Sequence, residues 1–195
     1  MKKLIIILSL FAVGCKPTVT ETNTIDPFFD LASFTQNLLK THSLLLNTVT
    51  KTSFANNLTE QIEIATTDSV FWKAELAPLL SINLNKPSLK DAYTIETDIP
   101  DKTSNLLKTV YTALPKSKTP IKKLEIKYLN TPSEIRSVIA VIKNENLVYS
   151  SKQEIILWTN KYGNHLQIDS LIFRGYNKTI LLDSMVYESK VAIKL

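Results

Sequence analysis

Glycine is nearly missing from this chain: 3 residues in 195, at Gly14, Gly163 and Gly175. A phosphate-cradling loop needs glycines close together so that backbone amides can approach the anion, and no such loop can be built here. Cysteine occurs once, at Cys15, which excludes an internal disulfide and a cysteine-based metal site. The two histidines, His42 and His165, are far apart and neither belongs to an HxxxH pair, the spacing that would put two ligands on one helix face. Arginine occurs only at Arg136 and Arg174; the other 21 basic residues are lysines. Nucleic-acid recognition favours bidentate arginine, and no basic block occurs, so no nucleic acid is expected as a partner. No G-x-S-x-G elbow marks a serine nucleophile. Carboxylates are scattered: Glu60 and Glu63 fall on opposite faces of a strand, and Asp169 and Asp183 are a pair that neighbouring strands could bring together. No catalytic residue, metal or cofactor is assigned. A hydrolase with a dispersed site is the enzymatic alternative.

A long apolar run is also lacking. Residues 4–13 are apolar or uncharged and follow Lys2 and Lys3, but ten residues fall well short of the roughly 20 that a spanning helix needs. The pattern is that of a signal-peptide core. The stretch Ala12-Val13-Gly14-Cys15 then resembles the lipobox of bacterial lipoproteins, with Ala12 where that family prefers Leu. The resemblance implies cleavage before Cys15 and acyl chains on its thiol. Each buried CH₂ contributes about 0.8 kcal/mol, and two acyl chains already anchor stably. The expected division is a signal peptide at 1–14, a lipidated tether at 15–25 and a single domain at 26–195, long enough for a real core. The formal charge of +5 includes Lys2 and Lys3, so the remainder carries +3.

Along the domain, Asp26-Pro27 reads as a helix start. Phe28, Leu31, Phe34, Leu38, Leu45 and Val49 follow at near-helical spacing, predicting a helix of about 20 residues with one apolar face. Residues 48–54 and 58–64, rich in Thr, Val and Ile around Ala55-Asn56-Asn57, predict a β-hairpin. Asp68 is expected to cap a short helix over 69–77, with Pro78 opposing its extension. Residues 93–97 read as a strand, and Ile99-Pro100-Asp101 as the break after it. Runs at 106–114, 121–129, 134–143, 147–159, 165–176 and 179–195, joined by short Asn-, Gly- or Pro-containing connections, predict antiparallel strands. Leu124, Ile126 and Tyr128 alternate with Lys123, Glu125 and Lys127, the sign of a sheet with one wet face. Polar residues over 150–154 suggest a bulge or a bend. The fold class is therefore α+β: an N-terminal helix packed on a curved antiparallel β-meander, half-barrel-like, in one domain.

The stretches DPFFDLASFTQNLL and FWKAELAPLLSINLNKPSLKDAY, with the strand-rich tail, resemble uncharacterised lipoproteins of the Bacteroidota. The helix-on-curved-sheet plan is also similar to the carriers that ferry lipoprotein acyl chains across the periplasm. These resemblances imply a monomeric protein of the bacterial cell envelope, on the outer membrane and facing the periplasm, with the membrane as partner through Cys15. They lend no catalytic residues. The expected role is a non-enzymatic binding or scaffold module that engages an envelope protein. The alternative is a carrier of a lipid or other hydrophobic ligand in the concave face of the sheet, with Trp72, Tyr149 and Trp158 as candidate lining residues.

Overall fold

The carboxylate of Asp30 accepts the Ser33 N–H at 2.9 Å, an N-cap that satisfies one of the unpaired amides at a helix start. This cap opens α1 (Leu31–His42) in the computed structural model, which describes residues 28–42, 47–66 and 69–194. Asp26, Pro27 and Cys15 lie outside the described residues, as does Asp68. The helix has 12 residues, not about 20. Val49, expected at its end, belongs instead to β1 (Asn47–Ala55), because Thr48, Val49, Thr50 and Thr52 are β-branched residues that fit a pleated sheet better than a helix. Leu31, Thr35 and Leu38 form the buried stripe of α1. Thr35 is tolerated there because its hydroxyl donates to the Leu31 carbonyl at 2.7 Å.

The hairpin of β1 and β2 (Leu58–Thr66) forms as expected. Its two turn residues, Asn56 and Asn57, have φ of 44° and 76°, the left-handed pair that a type I′ turn requires and asparagine tolerates. A second helix, α2 (Ser69–Leu80), runs two residues beyond Pro78. Its stripe of Trp72, Leu76 and Leu79 is buried, and that packing outweighs the single amide that proline removes so near the helix end.

Seven strands follow: β3 (Tyr93–Pro100), β4 (Leu107–Ala113), β5 (Ile121–Tyr128), β6 (Ile135–Glu145), β7 (Tyr149–Tyr162), β8 (His165–Thr179) and β9 (Met185–Lys194). All pair antiparallel, in one open sheet ordered β2-β1-β9-β8-β7-β6-β5-β4-β3 that does not close into a barrel. The N-terminal hairpin thus docks on the last strand, a pairing no local pattern announces. β3 extends past Thr97 to Pro100 by means of a bulge, with Asp98 at φ 56°. The bulge expected over 150–154 is not there: Ser150 to Glu154 pair in unbroken register with β6. The irregularity lies further along, opposite Trp158 and Thr159. The turn expected at Asn177-Lys178 is also displaced. Both residues stay in β8, with Asn177 accepting the Tyr149 hydroxyl at 3.0 Å, and the chain reverses over 180–184.

One cross-strand row shows what holds the sheet to the helices. Ile126, Val138, Leu157, Leu171 and Val191 are paired neighbours on β5 to β9, each no more than 2% exposed. Burying each contributes about 1.5–3 kcal/mol. α1 packs on α2 and on β8 over this face. The row continues to Lys51 of β1, whose ammonium meets Glu75 of α2 at 2.5 Å, so a charge on the helix-covered face has its partner on the helix. Gly175 is required for a different reason. A Cβ there would lie 2.1 Å from the Lys152 carbonyl oxygen and 3.0 Å from the Tyr187 hydroxyl.

Candidate functional site

The register defines two ends of the sheet. Hairpins β1–β2, β4–β5, β6–β7 and β8–β9 turn at one end, called here the upper end. The β3–β4, β5–β6 and β7–β8 turns lie at the lower end. At the upper end, Tyr93 pairs with Ala113, and the Leu114 N–H donates to the Ala92 carbonyl at 2.9 Å. These contacts bring the connector from α2 to β3 (81–92) against the β4–β5 loop (114–120). The Tyr93 hydroxyl fixes that loop. It lies 2.9 Å from the Thr119 hydroxyl and donates to the Ile121 carbonyl at 3.1 Å; burial pushes its pKa up, so it remains a neutral donor.

Between connector and loop lies a cleft of about 810 Å³, within the size range of small-molecule sites. Ile82, Leu89, Leu114, Ile121 and Ile142 supply its apolar surface, and Lys86, Lys90, Lys116 and Lys118 line it together with one acid, Asp91. All four lysines are exposed, and among the described residues none makes an ion pair. The connector is held in place from below. Ile82 and Leu84 are buried, and Asn85 accepts the Phe28 N–H at 3.1 Å while its amide donates to the Phe28 carbonyl at 3.0 Å. Phe28 itself sits edge-on to Tyr93 and Tyr111. An anion with an apolar portion matches this arrangement: lysines for the charge and a hydrophobic floor for the rest.

A second polar cluster is saturated. On the outer face, Glu125 meets Lys123 at 2.6 Å and Lys127 at 3.6 Å, and Asp101 meets Lys127 at 3.1 Å. Hydrogen bonds from Ser104 first, then Thr103 and Lys127, hold the Asp101 carboxyl well below the usual carboxylate range. Such groups are committed to each other. Among the described residues, no three metal-capable side chains converge.

Of the candidate lining residues, Trp72 is 1% exposed within the helix–sheet core, edge-on to Phe71. Tyr149 is half-buried at the upper end. Trp158 lies on the outer face: β7 alternates, so the buried Leu157 points to the helices and Trp158, 40% exposed, points away. None of the three lines the cleft. Asp169 is bonded by Tyr162 at 2.8 Å near the lower end, whereas Asp183 lies in the upper β8–β9 turn, so the two acids do not meet. His165 is exposed. The cleft lysines were hidden in what reads as two turn segments, NKPSLKDA and LPKSKTP; their shared Lys-Pro-Lys composition was the available signal. Compared with protein-family models, curated proteins and solved structures, the chain finds no match in any of the three.

Proposed function

We propose that this chain is a non-enzymatic binding module of the bacterial envelope, lipid-anchored at Cys15 on the outer membrane and facing the periplasm, which takes an anionic ligand with an apolar portion. The observation that carries this reading is the upper cleft, where four lysines that make no ion pair among the described residues surround an apolar floor. Filling of the helix-covered face also supports it. Leu157, Leu171 and Val138 are 0% exposed beneath α1 and α2, so an acyl chain threaded along the middle of a curved, half-barrel-like sheet would have to displace the helices. The cleft at its rim needs no such displacement.

Titration calorimetry with dodecyl phosphate below its micellar concentration tests the ligand class. One-to-one binding in the micromolar range is expected, weakened about tenfold (about 1.4 kcal/mol) by the pair Lys90→Glu and Lys118→Glu. Heat that does not saturate, or that ignores both changes, refutes the cleft as the site. Intact mass tests the anchor separately: a wild-type protein from its native membrane without a diacylglyceryl group on Cys15 sinks that part.

A further inference from the structure

The upper end carries apolar side chains that the fold does not use. Leu147 and Val148, between β6 and β7, are 93% and 62% exposed; Ile180, Leu181 and Leu182, between β8 and β9, are 69%, 90% and 71% exposed; Leu58, opening β2, is 78% exposed. Single exposed apolar residues are ordinary, but six on three neighbouring turns form a patch, and patches mark interaction surfaces. The patch is structured. The Ile180 N–H donates to the Val148 carbonyl at 3.1 Å, and the Asn56 N–H to the Val186 carbonyl at 3.2 Å, so the tips are tied to one another rather than trailing separately.

We propose that this upper end docks on a lipid bilayer, with the leucine-rich tips entering the interface and the lysines facing anionic headgroups. Two further observations select a bilayer as the occupant. The first is charge. The four cleft lysines, Lys152 and Lys178 are exposed at this end against the exposed acids Glu60, Asp91, Asp183 and Glu188, while Glu145 is already paired with Lys143 at 2.6 Å. Apolar tips ringed by lysine suit an anionic membrane surface. The second is attachment. Phe28, where the described chain starts, is fixed at this same end by Asn85 and Tyr93. Cys15 precedes it by thirteen Cα steps, at most about 45 Å of extended chain. This second argument rests on the Cys15 reading given above; the patch and its charge do not. Docked this way, the lysine-lined cleft opens beside the headgroups, and its anionic, part-apolar ligand is drawn from the membrane.

The test uses the full chain on vesicles of phosphatidylethanolamine and phosphatidylglycerol. An azido-phenylalanine bearing the fluorophore NBD replaces Leu181, or, in a second sample, Asn164 at the lower end. Both positions are exposed, and the label is independent of Cys15. With docking, the fluorophore at 181 shifts to the blue and is quenched several-fold more by nitroxide-labelled lipid than the one at 164. Vesicle-held protein in which 181 stays as wet as 164 overturns the proposal. So does a blue shift without vesicles that grows with protein concentration, which would make a second copy the occupant. The mass of the same samples separates the two readings. An acylated Cys15 with a wet 181 leaves the anchor standing and removes docking; an unacylated Cys15 with a shifted 181 does the reverse.

Discussion

The turns at the two ends of the sheet are built from different materials. At the lower end they are polar and closed on themselves. The β5–β6 turn bonds the Leu129 N–H to Glu134 and the Glu134 N–H to Thr131, at 3.0 and 2.9 Å, with Asn130 supplying φ 59°. The β3–β4 turn gathers the Thr103 and Ser104 hydroxyls and the Lys127 ammonium on Asp101. The β7–β8 turn needs only Gly163, at φ 60°, and Asn164. At the upper end the Asn56-Asn57 turn is equally polar, but the β6–β7 and β8–β9 turns carry Leu147, Val148, Ile180, Leu181 and Leu182 in solvent, and the β4–β5 loop borders the cleft. Turns made only for stability use Gly, Asn, Asp and Ser, whose local bonds fit tight reversals. Apolar turns give nothing to the folded state that polar ones would not, and the docking proposed above would account for their composition.

Both ends hang from one core, and the largest effect comes from cutting beneath both. Leu38, on the buried stripe of α1, is 2% exposed. In Leu38→Asp an unpaired carboxylate faces the sheet, at a cost of about 3–5 kcal/mol, a large share of a typical domain's stability. Urea denaturation should show loss of most of the cooperative transition. A midpoint unchanged from wild type would mean that α1 is not core, and the contrast between the two ends would then lack its common support.

A smaller effect isolates the lower end. The Asp101 carboxyl is held well below its ordinary value, chiefly by the Ser104 hydroxyl and further by Thr103 and Lys127. A group whose folded pKa is depressed stabilises the fold above its unfolded value, about 3.9, and that contribution is lost as pH falls through the folded value. Asp101→Asn should therefore lower stability at pH 7 by about 1–3 kcal/mol while flattening the decline below pH 4. Urea midpoints at pH 7 and pH 3 check this: wild type and variant should differ at the first and converge towards the second. Equal separation at both would show that the turn does not depend on the carboxylate's charge.

The same contrast explains what the sequence revealed. The β1–β2 hairpin was legible because Asn56-Asn57 is a turn signal between β-branched runs, and β5 because Leu124, Ile126 and Tyr128 alternate with charges. Lower-end turns could be read for the same reason: Asn130, Gly163 and their neighbours announce reversals. The β6–β7 and β8–β9 turns misled. Leu147-Val148 and Ile180-Leu181-Leu182 read as strand starts because hydrophobicity normally means burial, and here it does not. Leu45 and Val49 lengthened the expected first helix for another reason: their spacing continues its stripe, although Val49 is buried from a strand. The cleft was illegible on different grounds. Its two lysine segments are separated by β3 and β4 and meet only because Tyr93 pairs with Ala113, a fact of register rather than of local pattern. The docking of β1 on β9 is likewise long-range.

The smallest expected effect is the most diagnostic for the upper end. Leu181 is 90% exposed, so Leu181→Ser removes almost no buried apolar surface and leaves no cavity. Surface changes of this kind stay within about 0.5 kcal/mol, and the melting temperature should be indistinguishable from that of wild type in the absence of membranes. The outcome discriminates because the two ends make opposite predictions for equally exposed turn residues. At the lower end, Gly163→Ala forces a side chain into a left-handed backbone and destabilises by about 1 kcal/mol, although it too alters only one exposed residue. A Leu181→Ser protein that melts as wild type beside a weakened Gly163→Ala protein would show that the lower turns hold the sheet and the upper leucines do not. Should Leu181→Ser lose as much stability as Gly163→Ala, the leucine would be packing within the folded chain, and the reason for assigning it to a partner would be gone.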